Sequence, residues 1–321
     1  MKIIITDLRH TNTFEEEKVF KAHGLTFRLE DCKTEDELIA RCADGEYWLS
    51  QYSLVTRRVM EALPDLKMVV RYGVGYDNID VQAATELGVQ VCNVPDYGMN
   101  EVADHAFTLL MTLSHRIIPM VRQTKTIKWD YLEAIPIRRM SETTIGVIGL
   151  GRIGGNFAKK ARGFGCKMIG TDINEAVFDD PSLSFIEKVS FDELLSRSDA
   201  VAIFVPLENA RNLIDMAAMK KMKPTAYLIN TSRGGIVNED DLNEALKNKI
   251  IAGAGFDVMA IEPAKQDNPL FAHENFLITP HMAWYSEESS LELKRKTAEE
   301  AASYALYRTC RYPVNHPLNP R

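Results

Sequence analysis

The chain has 321 residues, 45% of them apolar, which is enough for two domains with a substantial interior. A net charge of −7 and a pI near 5.6 exclude the basic surface of proteins that bind nucleic acids or anionic membranes. The sequence lacks both a signal-peptide core and an apolar run of about 18 residues that could cross a bilayer, so we expect a cytoplasmic protein. The five cysteines are scattered without a CxxC pair, which indicates reduced thiols and predicts no metal site.

Strands and helices alternate along the first hundred residues. Strands are predicted at "KIIIT" and "LTFRLE", with a helix over "FEEEKVFKAHG" between them that ends at Gly24. Thr34 and Glu37 have the spacing of a capping box, which starts a second helix. Two further strands, "LKMVVRYG" and "VQVCNV", flank a helix that Asp80 caps. This alternation predicts an α/β unit with a parallel sheet and helices on both of its faces.

A second alternating series follows one long helix, which is predicted over residues 101–125 with a kink at Pro119. Its strands are "TTIGVIG", "CKMIGTD", "AVAIFVP", "AYLINTS", "IAGAGFDV" and "FLITP". A last helix begins at Ser286, after this series is complete, and is expected to return to the first unit. We therefore predict a discontinuous substrate domain, residues 1–99 plus 286–321, with a Rossmann-type nucleotide-binding domain inserted as residues 100–285.

A glycine-spaced motif, "GLGRIG", follows the first strand of the second series. Gly149 is predicted to allow a tight turn, Gly151 the approach of a pyrophosphate, and Gly154 close packing of the next helix on the strand. The N-terminus of that helix would offer N–H groups to phosphates. Asp172 ends a strand 18 residues after Gly154, close to the spacing of about 20 residues expected of the carboxylate that binds the adenosine ribose. Its charge favours NAD over NADP, because a 2′-phosphate would meet a like charge, an effect that the nearby Arg152 would soften.

Side chains that could bind or protonate a substrate follow three other strands of the same series. Arg233 follows "AYLIN", and His281 follows "FLIT". Asp257 lies at the end of the strand "IAGAGFDV", and Glu262 follows Asp257 by five residues. Ligands collect at the carboxyl ends of strands in open α/β sheets, so we expect these residues around one crevice.

These residue types suit the handling of a keto acid. Arginine binds a carboxylate through two parallel N–H groups. Histidine exchanges protons near neutral pH, and a glutamate partner would orient it and favour its protonated form. Taken singly, each has a structural explanation: a surface arginine beside glycines, a Glu-Pro turn, or a solvated imidazole. Their order after a dinucleotide motif favours a catalytic site.

Together, these motifs resemble those of the D-2-hydroxyacid dehydrogenases, the D-isomer-specific, NAD-dependent family. The similarity lies in "GLGRIG" with Asp172, "INTSRGGIV", "GFDVMAIEP" and "TPH", and in the first half in "VVRYGVGYDNID" and "NVPDYGMNEVADHA". It implies two flavodoxin- and Rossmann-like domains around a cleft, and usually a homodimer built on the nucleotide-binding domains. Within the family, "PHMAWYSEES" and "VRYGVGYDNID" are most similar to the branch that contains the eukaryotic C-terminal-binding-protein corepressors.

The resemblance also implies roles for individual residues. Arg233 would bind the carboxylate and carbonyl oxygen of the substrate, His281 would be the general acid and base, and Glu262 its partner. Asp257 would lie near the nicotinamide amide. The candidate cofactor contacts are Gly149, Gly151, Arg152, Ile153, Gly154, Asp172, Pro206, Thr231 and Asp257.

Further substrate contacts are expected from two other stretches. The loop of Tyr72, Gly73, Val74 and Gly75 would offer backbone N–H groups to the substrate carboxylate, because glycine lets the main chain come close. By resemblance to the corepressor branch, Arg71 and Trp284 would line the pocket, although Trp284 also has an interpretation as ordinary packing.

The expected reaction is the NADH-dependent reduction of a small 2-oxo acid to the D-2-hydroxy acid. Glyoxylate or hydroxypyruvate is slightly favoured as the substrate. The alternative is an NAD(H)-sensing binding protein, similar to the corepressors, with weak dehydrogenase activity.

Overall fold

The structure is a computed structural model and describes residues 2–321. The chain divides into two compact units, Met1–Gly98 with Ser286–Arg321, and Met99–Tyr285. Each unit contains one parallel sheet with helices, so the predicted α/β class with two parallel-sheet domains is confirmed. None of the helices formed by residues 2–321 is long and apolar enough to cross a membrane.

The first unit is built on a five-stranded sheet in the order β2-β1-β3-β4-β5. Its strands are β1 (Ile3–Ile5), β2 (Phe27–Leu29), β3 (Tyr47–Ser50), β4 (Met68–Arg71) and β5 (Gln90–Cys92). Its helices are α1 (Phe14–Ala22), α2 (Glu35–Arg41), α3 (Arg57–Ala62), α4 (Val81–Glu86) and the C-terminal helix (Glu287–Tyr307). The strands β1 and β3 are buried along their whole length, as expected of a parallel sheet covered on both faces.

The predicted helix starts of this unit are confirmed by side-chain caps. Thr34 and Glu37 form the reciprocal bonds of a capping box at α2. Asp80 accepts a hydrogen bond from the Ala83 N–H at 2.9 Å, and Ser286 caps the C-terminal helix. The sequence analysis missed α3 and the central strand β3, where "YWLS" mixes aromatic, aliphatic and polar residues and shows no clear period.

The second unit has a seven-stranded sheet in the order β12-β11-β10-β9-β6-β7-β8. Its strands are β6 (Thr144–Ile148), β7 (Lys167–Thr171), β8 (Ile186–Lys188), β9 (Ala200–Ile203), β10 (Tyr227–Asn230), β11 (Gly253–Phe256) and β12 (Phe276–Ile278). Its helices are α5 (Met99–Ser114), α6 (Ile117–Lys125), α7 (Arg152–Gly163), α8 (Phe191–Arg197), α9 (Met216–Met219) and α10 (Glu239–Lys247). The sequence analysis missed the edge strand β8, which is short and exposes two of its three residues.

The prediction of one long helix over residues 101–125 is wrong. The structure has two helices, α5 and α6, which are separated at Arg116 in a left-handed conformation with φ of 53°. Pro119 explains the break, because its ring would clash with the carbonyl of His115 and it has no N–H for that carbonyl. The break therefore precedes the proline, which lies in the first turn of α6, where a missing N–H is tolerated.

Strand order in the second unit creates a switch point between β6 and β9. The chain runs outward from β6 through β7 to β8, and then returns to β9 and runs outward on the other side. Ligands of open α/β sheets bind at the carboxyl ends of strands beside such a point. The candidate site lies in the loops that follow these strands.

Candidate active site

Parallel register brings three predicted catalytic loops together. Phe256 at the end of β11 pairs with Asn230 at the end of β10 and with Ile278 at the end of β12. The loops that carry Arg233, Glu262 and His281 thus leave adjacent strands at the same edge of the sheet.

A hydrogen bond of 2.6 Å joins Nδ1 of His281 to Oε2 of Glu262. The other carboxylate oxygen, Oε1, accepts the Met259 N–H at 2.9 Å, which fixes the carboxylate in the loop after β11. Because an ionised carboxylate can only accept, Nδ1 must carry the hydrogen of this bond. The imidazole is left with Nε2 as the atom that exchanges a proton with a substrate.

The electrostatic surroundings keep Glu262 ionised. Burial raises the pKa of its carboxyl, but four effects outweigh burial and hold that pKa below its usual value. They are the hydrogen bond to His281, the charge of His281, the Met259 N–H and the guanidinium of Arg233. An ionised Glu262 places a negative charge directly beside the imidazole.

Arg233 is positioned by its own backbone and by a close contact between loops. Its carbonyl accepts the Asn230 side-chain amide at 2.9 Å, and its Nη1 donates to the Ser232 carbonyl at 2.8 Å. A Cβ on the next residue, Gly234, would lie 2.0 Å from the Met259 carbonyl oxygen, so only glycine lets these two loops pack together. The structure therefore brings Arg233, Glu262 and His281 into one cluster.

Asp257 organises the loop that carries His281. Its carboxylate, only 1% exposed, accepts N–H groups of Met282 at 3.0 Å and Ala283 at 2.7 Å, and a short hydrogen bond from Thr279. The Asp257 carbonyl accepts the His281 N–H at 2.9 Å. His281 itself has a left-handed backbone, with φ of 54°, which is unusual for a residue other than glycine and is held by these bonds. The predicted contact of Asp257 with a nicotinamide amide stays a prediction.

Three residues that the sequence analysis did not select, His105, Thr279 and Glu239, also belong to this arrangement. His105 on α5 lies 2.8 Å from the Thr279 hydroxyl and 3.7 Å from Asp257. Glu239 at the start of α10 accepts the Ala260 N–H at 2.6 Å, and burial, followed by repulsion from neighbouring carboxylates that include Glu262, raises its pKa. The only sequence signal for His105 was its place in "NEVADHA", which resembled the family without indicating a role.

The glycine motif has the geometry of a phosphate-binding turn. Gly149 has φ of 89°, and a Cβ on Gly154 would lie 1.9 Å from the Gly149 carbonyl oxygen. A Cβ on Gly151 would meet no atom within 4 Å, so the start of α7 is open to a ligand. Asp172 bridges this turn to β7, because its carboxylate accepts N–H groups of Leu150 at 2.6 Å and Asn174 at 2.8 Å.

The remaining predicted cofactor residues lie near the carboxyl ends of β9 and β10 and at the start of α7. Pro206 is exposed after β9, Arg152 is exposed at the first position of α7, and Ile153 beside it is half-buried. Thr231 follows β10, and its buried hydroxyl oxygen has no hydrogen-bond partner among residues 2–321. The open helix start and this unpartnered hydroxyl fit a dinucleotide.

The loop after β4 offers fewer N–H groups than predicted. The Tyr72 N–H already donates to the Ser50 carbonyl at 2.9 Å, and the Gly73 N–H donates to the Arg71 carbonyl at 3.0 Å. In residues 2–321 the N–H groups of Val74 and Gly75 have no acceptor, so these two alone remain for a ligand. Arg71 donates through Nη1 to the Tyr72 carbonyl at 2.6 Å, which holds the side chain on its own loop.

Trp284 packs on the histidine loop. Its indole N–H donates to the His281 carbonyl at 3.1 Å, and its ring meets Tyr285 edge-on. This contact supports the packing interpretation, while a role of Trp284 in lining a substrate pocket stays a prediction.

Comparison with known proteins places the chain in a family. The family model "D-isomer specific 2-hydroxyacid dehydrogenase, NAD binding domain" matches residues 107–283. A glyoxylate reductase of Korarchaeum cryptofilum is 36% identical over 282 residues, 86% of this chain and 81% of that protein. A glycerate dehydrogenase of Methylorubrum extorquens is 34% identical over 264 residues, 80% of this chain and 81% of that protein.

Two solved structures share the fold over nearly the whole chain. An acyclic imino acid reductase in complex with NADPH and D-Arg has a TM-score of 0.88 and 27% identity, covering 98% of this chain and 100% of that one. D-lactate dehydrogenase from Aquifex aeolicus, complexed with NAD and lactic acid, has a TM-score of 0.86 and 26% identity, with coverage of 98% and 99%. Relatives named as reductases and dehydrogenases do not favour the corepressor alternative. The chain therefore belongs to the D-isomer specific 2-hydroxyacid dehydrogenase family and is an oxidoreductase with an NAD-binding domain.

Proposed function

We propose that the protein catalyses the reversible reduction of a small 2-oxo acid to the D-2-hydroxy acid, with NADH as the reductant. The observation that carries this proposal is the 2.6 Å bond between His281 and Glu262, with the guanidinium of Arg233 close enough to act on the same carboxylate. Relatives named glyoxylate reductase, glycerate dehydrogenase and hydroxypyruvate reductase support it.

His281 is the proton donor in the direction of reduction. Its Nδ1 is held by Glu262, so the proton on Nε2 passes to the oxygen of the substrate carbonyl as that oxygen gains negative charge. The ionised carboxylate of Glu262 stabilises the imidazolium before this step. In the reverse direction, neutral His281 takes the proton from the hydroxyl group.

Arg233 binds the substrate and stabilises the charge that develops on it. A guanidinium presents several N–H donors in one plane, which suits a carboxylate next to a carbonyl oxygen. Because its side chain and loop are held by hydrogen bonds, the positive charge is in place before the reaction begins, and such preorganisation lowers the barrier.

The glycine turn and the start of α7 would hold the pyrophosphate of the cofactor, and Thr231 would donate a hydrogen bond to it. Asp172 would accept hydrogen bonds from the ribose and repel a 2′-phosphate, so we propose NADH as the preferred form. When bound, the nicotinamide supplies the hydride for the carbonyl carbon. Glyoxylate or hydroxypyruvate is the proposed substrate type, and substrate contacts from Arg71, the 72–75 loop and Trp284 stay predictions.

We also propose that two copies of the chain associate through α6 and the segment after it. Apolar side chains are exposed there, among them Ile127, 92% exposed, and Trp129, 89% exposed. Others are Val121, Tyr131, Leu132 and Ile135. Monomeric proteins rarely expose so many large apolar side chains within one short segment, and a second copy of the chain would cover them.

The proposed activity is tested by following NADH oxidation with a panel of 2-oxo acids, repeated with NADPH, and by determining the configuration of the product. We expect turnover of glyoxylate or hydroxypyruvate, faster with NADH, and D products from prochiral substrates. Arg233→Ala should lower kcat and raise KM for the oxo acid. No turnover of any 2-oxo acid, or unchanged kinetics in Arg233→Ala, would contradict the proposal.

A further inference from the structure

Three metal-ligand side chains that are far apart in the sequence meet in the first unit. Cys92 ends β5, Glu300 lies on the C-terminal helix, and Cys310 follows that helix. Their two sulfurs and a carboxylate oxygen all lie within 4.8 Å of one another. Within residues 2–321, no other three His, Cys, Asp or Glu side chains come together in this way.

Hydrogen bonds hold Glu300 and the segment that follows Cys310 in place beside β5. The Val314 N–H donates to the Val91 carbonyl at 2.9 Å, which fixes the C-terminal segment along β5. Glu300 accepts the Arg311 N–H at 3.0 Å and the Tyr312 N–H at 3.4 Å. The three donors are therefore close together before any ligand binds, and each carboxylate oxygen retains lone pairs beyond those used by the N–H groups.

Burial and access also suit a bound cation. Cys92 and Glu300 are buried, while Cys310 is partly exposed and gives a route from solvent.

The donor set selects the type of cation. Thiolates favour soft or borderline ions such as zinc, whereas magnesium and calcium require oxygen ligands. In tetrahedral zinc sites the Zn–S distance is about 2.3 Å, which places two sulfurs about 3.8 Å apart. The separation of these three donors accommodates that geometry with small side-chain movements.

We propose that Cys92, Glu300 and Cys310 form a binding site for one zinc-type divalent cation, completed by a water molecule. On binding, each thiol loses its proton to solvent as its sulfur–metal bond forms, and no electrons are transferred. The cation would tie the C-terminal segment to β5.

A second thiol pair provides a matched control. The sulfurs of Cys32 and Cys42 lie 3.7 Å apart, and both residues are buried. In the described part of the chain, no third metal-binding group joins them within the same distance. The proposal predicts that this pair does not bind the cation.

The test is a titration of the reduced, metal-free full chain with Co²⁺, followed by the thiolate-to-cobalt absorption bands and by competition with Zn²⁺. We expect about one Co²⁺ per chain for the wild type and for Cys32→Ser/Cys42→Ser, and at least about tenfold weaker binding without the thiolate bands for Cys310→Ser. Circular dichroism and NADH binding verify that each variant is folded. Glu300→Gln should keep the thiolate-to-cobalt bands but bind Co²⁺ more weakly than the wild type.

Protection of residues 308–321 from hydrogen exchange should increase when Zn²⁺ is added to the wild type and not when it is added to Cys310→Ser. Absence of thiolate bands in the reduced wild type would overturn the proposal. So would bands that survive in folded Cys310→Ser, or bands that disappear in Cys32→Ser/Cys42→Ser, since the latter pair would then be the site.

Discussion

Replacing Glu262 by glutamine removes the negative charge beside His281 and one of the two acceptor oxygens, while the shape of the side chain is retained. The carboxylate is 2.6 Å from Nδ1, and the two side chains are 41% and 36% exposed. A contact ion pair contributes about 1 kcal/mol in water and about 4 kcal/mol near a protein surface, and the exposure of this pair argues for about 1–2 kcal/mol. Since about 1.4 kcal/mol corresponds to one pH unit, the alkaline limit of activity should lie about one unit lower in the variant.

The sign follows from the direction of the reaction. Reduction requires the imidazolium, and the hydrogen bond to His281 and its charge lower the pKa of Glu262. In Glu262→Gln the imidazolium is less stable, so the alkaline decline of kcat/KM for the oxo acid should move to lower pH by about one unit. At pH values above the wild-type decline, kcat/KM should fall by about tenfold, and the loss should be smaller at pH values below that decline.

The assay is the initial rate of NADH oxidation from pH 5 to 10 with a saturating cofactor. Glu239→Gln is the matched control, because Glu239 lies beside the same loop and bonds to the Ala260 N–H instead of the imidazole. Its profile should keep the wild-type position. An alkaline decline in Glu262→Gln that stays in place or moves to higher pH would refute the reasoning, as would an equal shift in the control.

Three further predictions concern cofactor choice, loop positioning and assembly. Asp172→Ser should raise the NADPH-to-NADH ratio of kcat/KM by about 100-fold, because a charge repulsion of several kcal/mol is removed, and an unchanged ratio would contradict the assigned role. Asp257→Asn should lower kcat and reduce the free energy of unfolding by about 1–3 kcal/mol, because an amide cannot accept all the hydrogen bonds that the histidine loop donates to the carboxylate. Denaturant titrations measure the second effect, and wild-type values of both quantities would show that other contacts hold the loop. Trp129→Glu should shift the sedimentation coefficient from dimer to monomer while NADH binding is retained, and a wild-type dimer in this variant would place the interface elsewhere.

Local signals in the sequence predicted the parts of the fold that depend on neighbouring residues. The caps at Thr34 and Asp80 are such cases, because each depends on a side chain and an N–H group three residues away. The glycine turn is another, since its spacing reflects a backbone requirement within six residues. The pairing of His281 with Glu262 followed from the rule that strand ends share an edge of the sheet, together with the family resemblance.

Features that depend on contacts between residues far apart in the sequence could not be predicted from it. The partners of Asp257 lie more than 20 residues away in sequence, so its place at the centre of the histidine loop was not visible. The Tyr72 N–H was expected to be available because its acceptor, Ser50, lies on β3, a strand that the sequence analysis missed. Cys92 and Cys310 were interpreted as isolated thiols because only the folded chain brings them together.

The central claim is that His281, held by Glu262, donates the proton that accompanies hydride transfer to a 2-oxo acid. Its most direct test is the single-turnover rate of NADH oxidation by glyoxylate in the wild type and in His281→Ala, with NADH affinity measured on the same samples by fluorescence. We predict a rate about 10²–10⁴ lower in the variant with an unchanged Kd for NADH. An equal single-turnover rate in the two proteins would contradict the account.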